Sequence, residues 1–402
     1  MKRNKCGTGI FVLAMLLAGM VFIPAASAQE EKDYSVTAEE AFKHANTHMI
    51  FFIAVDSDFA EWKEASIDPK PLELYDINDK KLFYEFSVCK NNEVIGNIKV
   101  CADKKLGQSV QSLEFNPKSF DANEAIKKSI EIAKNTYLTG EIKSTKMVVY
   151  NYPDVGAMTV VKDKTTGNEH RIFVDAYTLE VIPDKPATET ENGVWSFYED
   201  RLKNGIDKNL KDWQESDNVS KFIEQETTEK GSNTSAPITE EKISALSSDA
   251  TITSTTTTKT LNVPLCAQET SYYCAVASAQ MIAKYYGITT HSQSYIYQIM
   301  GGTGGTLNNT QQLVYYQGSN GLNKPGSIYV TSGLTFNSAV AEINSNRPFK
   351  SAITNHARVC RGYTYTSDGI QYLKINDPAP VGSGSNKIES PGQEINRIYV
   401  RS

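Results

Sequence analysis

The segment from Asp217 to about Thr260 most constrains how this chain folds, because it is polar, rich in Ser and Thr, and ends in the unbroken hydroxyl run Ser254–Thr258. Such a composition buries too little apolar surface to offset the entropy of ordering it, so a flexible linker is expected there. The chain is long enough to form two units around it. Residues 29–190 are expected as the first unit and 261–402 as the second. The intervening residues 191–260 hold an amphipathic helix followed by the linker. Trp195, Phe197, Tyr198, Leu202, Ile206, Leu210 and Trp213 recur mostly three or four apart, which predicts that helix between about Asn192 and Ser216.

The first residues set the compartment. Lys2, Arg3 and Lys5 precede an apolar run from Gly9 to Ile23, and Pro24-Ala-Ala-Ser-Ala28 places small residues before Gln29. That pattern reads as a secretory signal peptide over residues 1–28, with a retained anchor as the alternative. A secreted or cell-surface protein is therefore expected, with no stable membrane span after signal cleavage. Removing three cationic residues and no acidic one takes the net charge from −6 to −9. A mildly acidic product without basic runs gives no reason to expect nucleic acid as a partner. No oligomeric state follows from the sequence. Five cysteines remain, Cys89, Cys101, Cys266, Cys274 and Cys360. An odd count in an exported protein implies an unpaired thiol.

Residues 34–186 read as a helix-on-sheet α+β unit. Thr37-Ala-Glu-Glu40 has the capping-box pattern, and Ala41, Phe42, Ala45 and Met49 follow at helical spacing. Strands are predicted at 81–89 and 94–102 around the Asn91-Asn92 turn, and at 146–152, 156–162 and 171–175, with a second helix over about 122–136. Cys89 and Cys101 are candidates for a disulfide, but a turn centred on Asn91-Asn92 puts them out of register. Sequons stand at Asn218, Asn233 and Asn308.

The chemistry concentrates after Val263-Pro264-Leu265. Ala277, Met281, Ile282 and Tyr285 form an apolar helical stripe closed by Gly287, and Thr270 or Ser271 can cap its start. Cys274 then falls in the first helical turn, where the helix dipole and free amides favour the thiolate, the nucleophilic form. Gln268, six residues earlier, can form an oxyanion hole with the Cys274 main-chain N–H. His356 opens a predicted strand (His356–Thr364), where it can face that helix start as general base and acid. Asp377 ends the next strand and can orient the imidazole, in competition with Asn376. Cys360 lies about 13 Å along an extended strand from His356, too far to pair with it. Cys266 and Cys360 can bridge or remain buried thiols. His291 reads as an exposed loop or helix-cap residue. His44 and His48 have metal-pair spacing without a third ligand, so no metal is expected. Gly301–Thr306 lacks the strand and lysine of a phosphate loop and reads as a flexible loop near the cleft.

Together, Val-Pro-Leu-x-x-Gln-Glu-x-x-x-x-Cys, a helix to Tyr-Tyr-Gly, His-Ala-x-Val-x-x-Gly-Tyr and Asn-Asp-Pro resemble the C39-like peptidases of the papain-like cysteine peptidase superfamily, over roughly Asn262 to Ser402. The resemblance implies a papain-like C-terminal fold with Cys274 as nucleophile, His356 as base, Asp377 as orienter and Gln268 as oxyanion donor. Where such proteins often carry Trp-Cys-Gly-Pro, this chain has Tyr273-Cys274-Ala275-Val276. Thr178–Pro183 closes the first unit in a way that weakly resembles propeptide or PepSY-type modules, which implies an inhibitory or chaperoning role, with an unrelated exported binding domain as the alternative. The whole reads as α+β: an exported cysteine peptidase hydrolysing protein or peptide substrates without a cofactor, its N-terminal region a propeptide or targeting module. A transglutaminase-type acyl transferase and a catalytically inactive surface binding protein are the alternatives.

Overall fold

The computed structural model describes residues 33–187, 193–229, 256–367 and 369–402. The expected signal peptide and the Asn233 sequon lie outside them. The first helix, Ala38–Val55, starts where Thr37 accepts the Glu40 main-chain N–H at 3.1 Å. Its stripe of Ala41, Ala45, Met49 and Phe52 is buried on strands Lys81–Lys90, Glu93–Cys101 and Val110–Phe115. The second predicted helix is present as Ala122–Thr136, capped by Asp121.

Among the described residues every strand belongs to one sheet, which runs through both halves of the chain. At its C-terminal end lie, in order, Ile328–Val330, Asn396–Tyr399, Phe349–Ile353, His356–Thr366, Gln371–Asp377 and Ser385–Glu389. The strand Val110–Phe115 of the N-terminal half pairs directly with Ser385–Glu389 and carries the sheet onward. Among the described strands the pairings are antiparallel except that of Leu72–Asp76 with Glu141–Asn151, and the isolated bridge Pro186–Val194 is also parallel. A mostly antiparallel sheet with helices packed on it is the α+β class expected.

The joint between the halves is buried and charged. Ile388 faces Leu113 and Lys387 faces Glu114, so two edges that would otherwise be open satisfy each other's main-chain groups. At the end of the first helix Asp56 and Asp58 reach the C-terminal half. The Lys374 ammonium lies 2.7 Å from Asp56 Oδ2 and 3.1 Å from Asp58 Oδ2, and it donates to Thr260 Oγ1 at 2.6 Å. Ile370, Tyr372 and Ile388 pack into the N-terminal core, while Val276, Ala279, Met281 and Ile282 of the helix Cys274–Tyr285 pack within a second, C-terminal core.

The linker expectation needs correction at both ends. A helix runs Ile206–Glu229, well past Asp217, because Trp213, Ser216, Val219, Ser220 and Ile223 follow one another along one buried face, and the helix packs on the first helix. Asn218 therefore lies on a helix. The threonines of Thr256–Thr260 form a strand on His356–Thr366, and Thr258 Oγ1 donates to the Tyr363 carbonyl at 3.2 Å. The β-branched threonine suits a strand once a partner edge is present. Residues 230–255 lie outside the described set. The amphipathic stretch begins as a separate short helix, Glu199–Lys203, before Gly205.

Cys101, Cys266, Cys274 and Cys360 are free thiols, so neither contemplated disulfide forms. In the first pair register is against it, since Cys101 faces Phe83 and Cys89 faces Val94, and Cys89 is engaged in another disulfide. His44 and His48 are core residues. His44 Nδ1 bonds Ser220 Oγ at 2.8 Å, and burial pulls the two imidazoles down to about 4 and about 3. Among the described residues no helix is long and apolar enough to cross a membrane.

Candidate active site

Cys274 is the first residue of the helix Cys274–Tyr285, which packs its apolar face on Phe349–Ile353 and His356–Thr366. The helix start carries no side-chain cap: Tyr273 holds the cap position, and neither Thr270 nor Ser271 fills that role. The unused N-terminal amides consequently remain available at the site. Cys274 is half-buried and lines a cleft of about 360 Å³.

Across the cleft His356 begins its strand and is buried, with Nε2 2.7 Å from Asp377 Oδ1. That bond commits Nε2 and leaves Nδ1 as the ring nitrogen that can serve Cys274, which lines the same cleft. Burial works against the imidazolium, but Asp377 and the Cys274 sulfur outweigh it and raise His356 from 6.5 to about 9. Burial likewise pushes the Cys274 thiol up, yet the His356 hydrogen bond and charge prevail and hold it below its ordinary value. The Ala357 main-chain N–H and the Lys350 charge act in the same direction. Both shifts favour a thiolate–imidazolium pair.

Asp377 is fully buried and every oxygen is used. Oδ1 accepts the Ala379 N–H at 2.9 Å as well as the imidazole, and Oδ2 accepts the Lys387 ammonium at 2.9 Å. Burial would raise this carboxyl; Lys387, His356 and Arg358 instead hold it well below the usual carboxylate range. Asn376, the competitor, turns the other way and donates to the Val263 carbonyl at 2.8 Å. The alternation of side chains along a strand separates the two neighbours.

Gln268 is buried in the segment leading to the helix, and its main chain is tied to the turn after Asp377 through its N–H to the Pro378 carbonyl at 2.9 Å. Its Oε1 has no partner, and Gln268 is not among the side chains lining the open cleft. His291 is not an exposed loop residue: it is half-buried between Tyr295 and Tyr315, with Nδ1 2.8 Å from the Tyr315 hydroxyl. Thr306, at the end of the glycine-rich loop, lines the cleft. Asn308 also lines it, with its side chain spent capping the helix Asn309–Gln317.

Three features escaped the sequence reading. Lys387 backs Asp377, and Glu114 of the N-terminal half stands opposite it and helps hold it above its ordinary lysine value. Arg358 is buried in an ion pair with Glu389, which also accepts the Tyr152 hydroxyl at 3.3 Å. Lys350 is buried on the cleft wall. All three depend on strand register, and the strand Ser385–Glu389 itself lacked an apolar pattern long enough to predict. The N-terminal half also reaches the cleft through Asn151 and Ala187. Among the described residues no group of His, Cys, Asp or Glu could hold a metal ion.

Residues 260–401 match the profile of the Peptidase_C39 like family, so the C-terminal third carries a C39-like peptidase region, as the motifs implied. No curated protein matches the chain.

Proposed function

We propose that the protein is an exported cysteine peptidase acting through Cys274, His356 and Asp377. The observation that carries the reading is the bond from His356 Nε2 to the Asp377 carboxylate in the cleft that Cys274 also lines, which leaves Nδ1 to serve the Cys274 sulfur. The Cys274 thiolate attacks the scissile carbonyl. The resulting oxyanion is received by the Cys274 main-chain N–H, and by the Gln268 side-chain amide once that buried group turns into the cleft. His356 gives its proton to the leaving amine, and a thioester on Cys274 remains. Water then attacks the thioester, His356 takes the water's proton, and the carboxylic acid leaves with the thiolate restored. Export rests on the basic and apolar segment Met1–Ala28.

The N-terminal region is proposed as a lasting partner of the peptidase rather than a propeptide released on activation. The continuous sheet, the Lys374 ion cluster and the Glu389–Tyr152 contact support this. A digest of a peptide library by wild type and by Cys274→Ala tests the proposal. Hydrolysis confined to wild type is expected, and equal cleavage by both proteins would overturn it. Amine incorporation into glutamine substrates in preference to hydrolysis would point to the acyl-transferase reading instead.

A further inference from the structure

Five lysine or arginine residues are buried among the described residues: Lys350, Arg358, Lys374, Lys387 and Arg397. Four of them face a carboxylate: Arg358 has Glu389, Lys374 has Asp56 and Asp58, Lys387 has Asp377, and Arg397 has Glu394. Lys350 has none. It sits on the strand Phe349–Ile353 with 2 % of its surface exposed, and it donates to two neutral oxygens, Asn309 Oδ1 at 2.8 Å and Asn396 Oδ1 at 2.9 Å. An ammonium has three N–H donors, so one is left over. Both asparagines and Lys350 line the same cleft as Cys274 and His356. Taking a cation out of water without an anion is costly, and in this cleft the missing anion has room to come from outside.

We propose that Lys350 is a carboxylate-binding subsite of the cleft, selecting peptides that present an acidic side chain or a free C-terminal carboxylate next to the scissile bond. The inference deepens the peptidase reading and rests on it for the word peptide; the anion subsite itself does not. Asn309 and Asn396 fix the ammonium between two amides and leave its third N–H for the ligand, which gives a directed, charge-assisted hydrogen bond. Burial pulls Lys350 down to about 8, with the Cys274 sulfur as the opposing charge, so the ammonium is the main form at neutral pH. A bound carboxylate would supply the anionic partner that Lys350, alone of the five buried cations, lacks.

Two measurements on the full chain test this. In the first, Cys274 is alkylated with anionic iodoacetate and with neutral iodoacetamide, and the ratio of the two rates is read. The ratio cancels changes in thiol reactivity common to both reagents. It is expected to fall about tenfold in Lys350→Met, and comparably in Asn396→Asp, which gives Lys350 an internal anion; such a fold-change is typical of one charge-assisted contact. A ratio unchanged in both variants overturns the proposal, and the iodoacetamide rate itself reports whether each variant retains its site. In the second, matched fluorogenic peptides carry Asp or Asn at successive positions with blocked ends, or a neutral sequence with a free or amidated C-terminus. Wild type is expected to prefer one carboxylate source by about tenfold or more, and Lys350→Met to lose that preference; the two arms identify the source. An active wild type indifferent to carboxylates in every arm overturns the proposal. If wild type cleaves no peptide while the alkylation ratio still falls, the anion subsite stands and the peptidase reading fails.

Discussion

Replacing Asp377 by Asn keeps the volume and a hydrogen-bond acceptor at the imidazole but removes the charge. The rise of His356 from 6.5 to about 9 corresponds to about 3 kcal/mol of preference for the imidazolium. That preference exists against burial, and Asp377 is its largest source. Without the carboxylate, burial remains and His356 is expected to fall to its ordinary value or lower. At pH 8 the imidazolium population then drops from roughly nine-tenths to a few per cent. Cys274 loses the partner that holds its thiol down, so kcat/KM should fall about 10²–10⁴-fold. The direct assay is the rate of iodoacetamide alkylation against pH without substrate. Wild type should react well below the ordinary thiol range, and the variant should need a clearly higher pH. The sign of the linkage follows from the raised imidazole: its contribution to stability is full below 6.5 and is lost as pH rises through about 9. Stability also changes, because the variant leaves Lys387 with only the nearby acidic groups Glu114 and Glu389 for compensation. Adding Lys387→Met should recover much of that stability but none of the activity. Superimposable alkylation profiles for wild type and Asp377→Asn would refute this account of His356.

Other expectations are simpler. Cys101 and Cys360 are buried and their thiols are pushed up to about 12, so peptide mapping after brief alkylation of the folded protein should find label on Cys274 and none on these two. Asn376→Ala removes the bond to the Val263 carbonyl; a loss of about 1 kcal/mol in unfolding experiments with kcat retained within about threefold is expected, and a loss of activity matching Asp377→Asn would count against the assignment. A protease site placed in residues 230–255 and cut should leave two fragments that co-elute on size exclusion and remain active, since the shared sheet and the Lys374 cluster do not depend on that connection. Separation of the fragments with full activity in the C-terminal one would restore the released-propeptide reading.

Local signals in the sequence were enough for the helix Ala122–Thr136, the hairpin strands Lys81–Lys90 and Glu93–Cys101, and the helix that begins at Cys274, because spacing and turn residues determine them. His356 and Asp377 were legible for a related reason: few histidines exist, and each residue lies at a strand end beside a turn. Val219 and Ile223 were concealed in polar surroundings, and their burial depends on contact with a helix about 170 residues away. Thr256–Thr260 became a strand only through its register on His356–Thr366. Lys387 shows the limit most plainly. Asp377 faces Ser385, so Lys387 is a diagonal neighbour on the same face and stands opposite Glu114 on the other side. No local pattern announces a contact set by two registers, and the joining of both halves into one sheet is of the same kind.

A peptidase working through Cys274 passes through a covalent bond between the Cys274 sulfur and a substrate acyl group. Intact-mass analysis of wild-type protein quenched in acid during turnover of a peptide ester tests it most directly. An adduct equal to the acyl half of the substrate is expected, mapped to Cys274, lost on further incubation, and missing in Cys274→Ala. Turnover without such an adduct, continuing undiminished in Cys274→Ala, would contradict it.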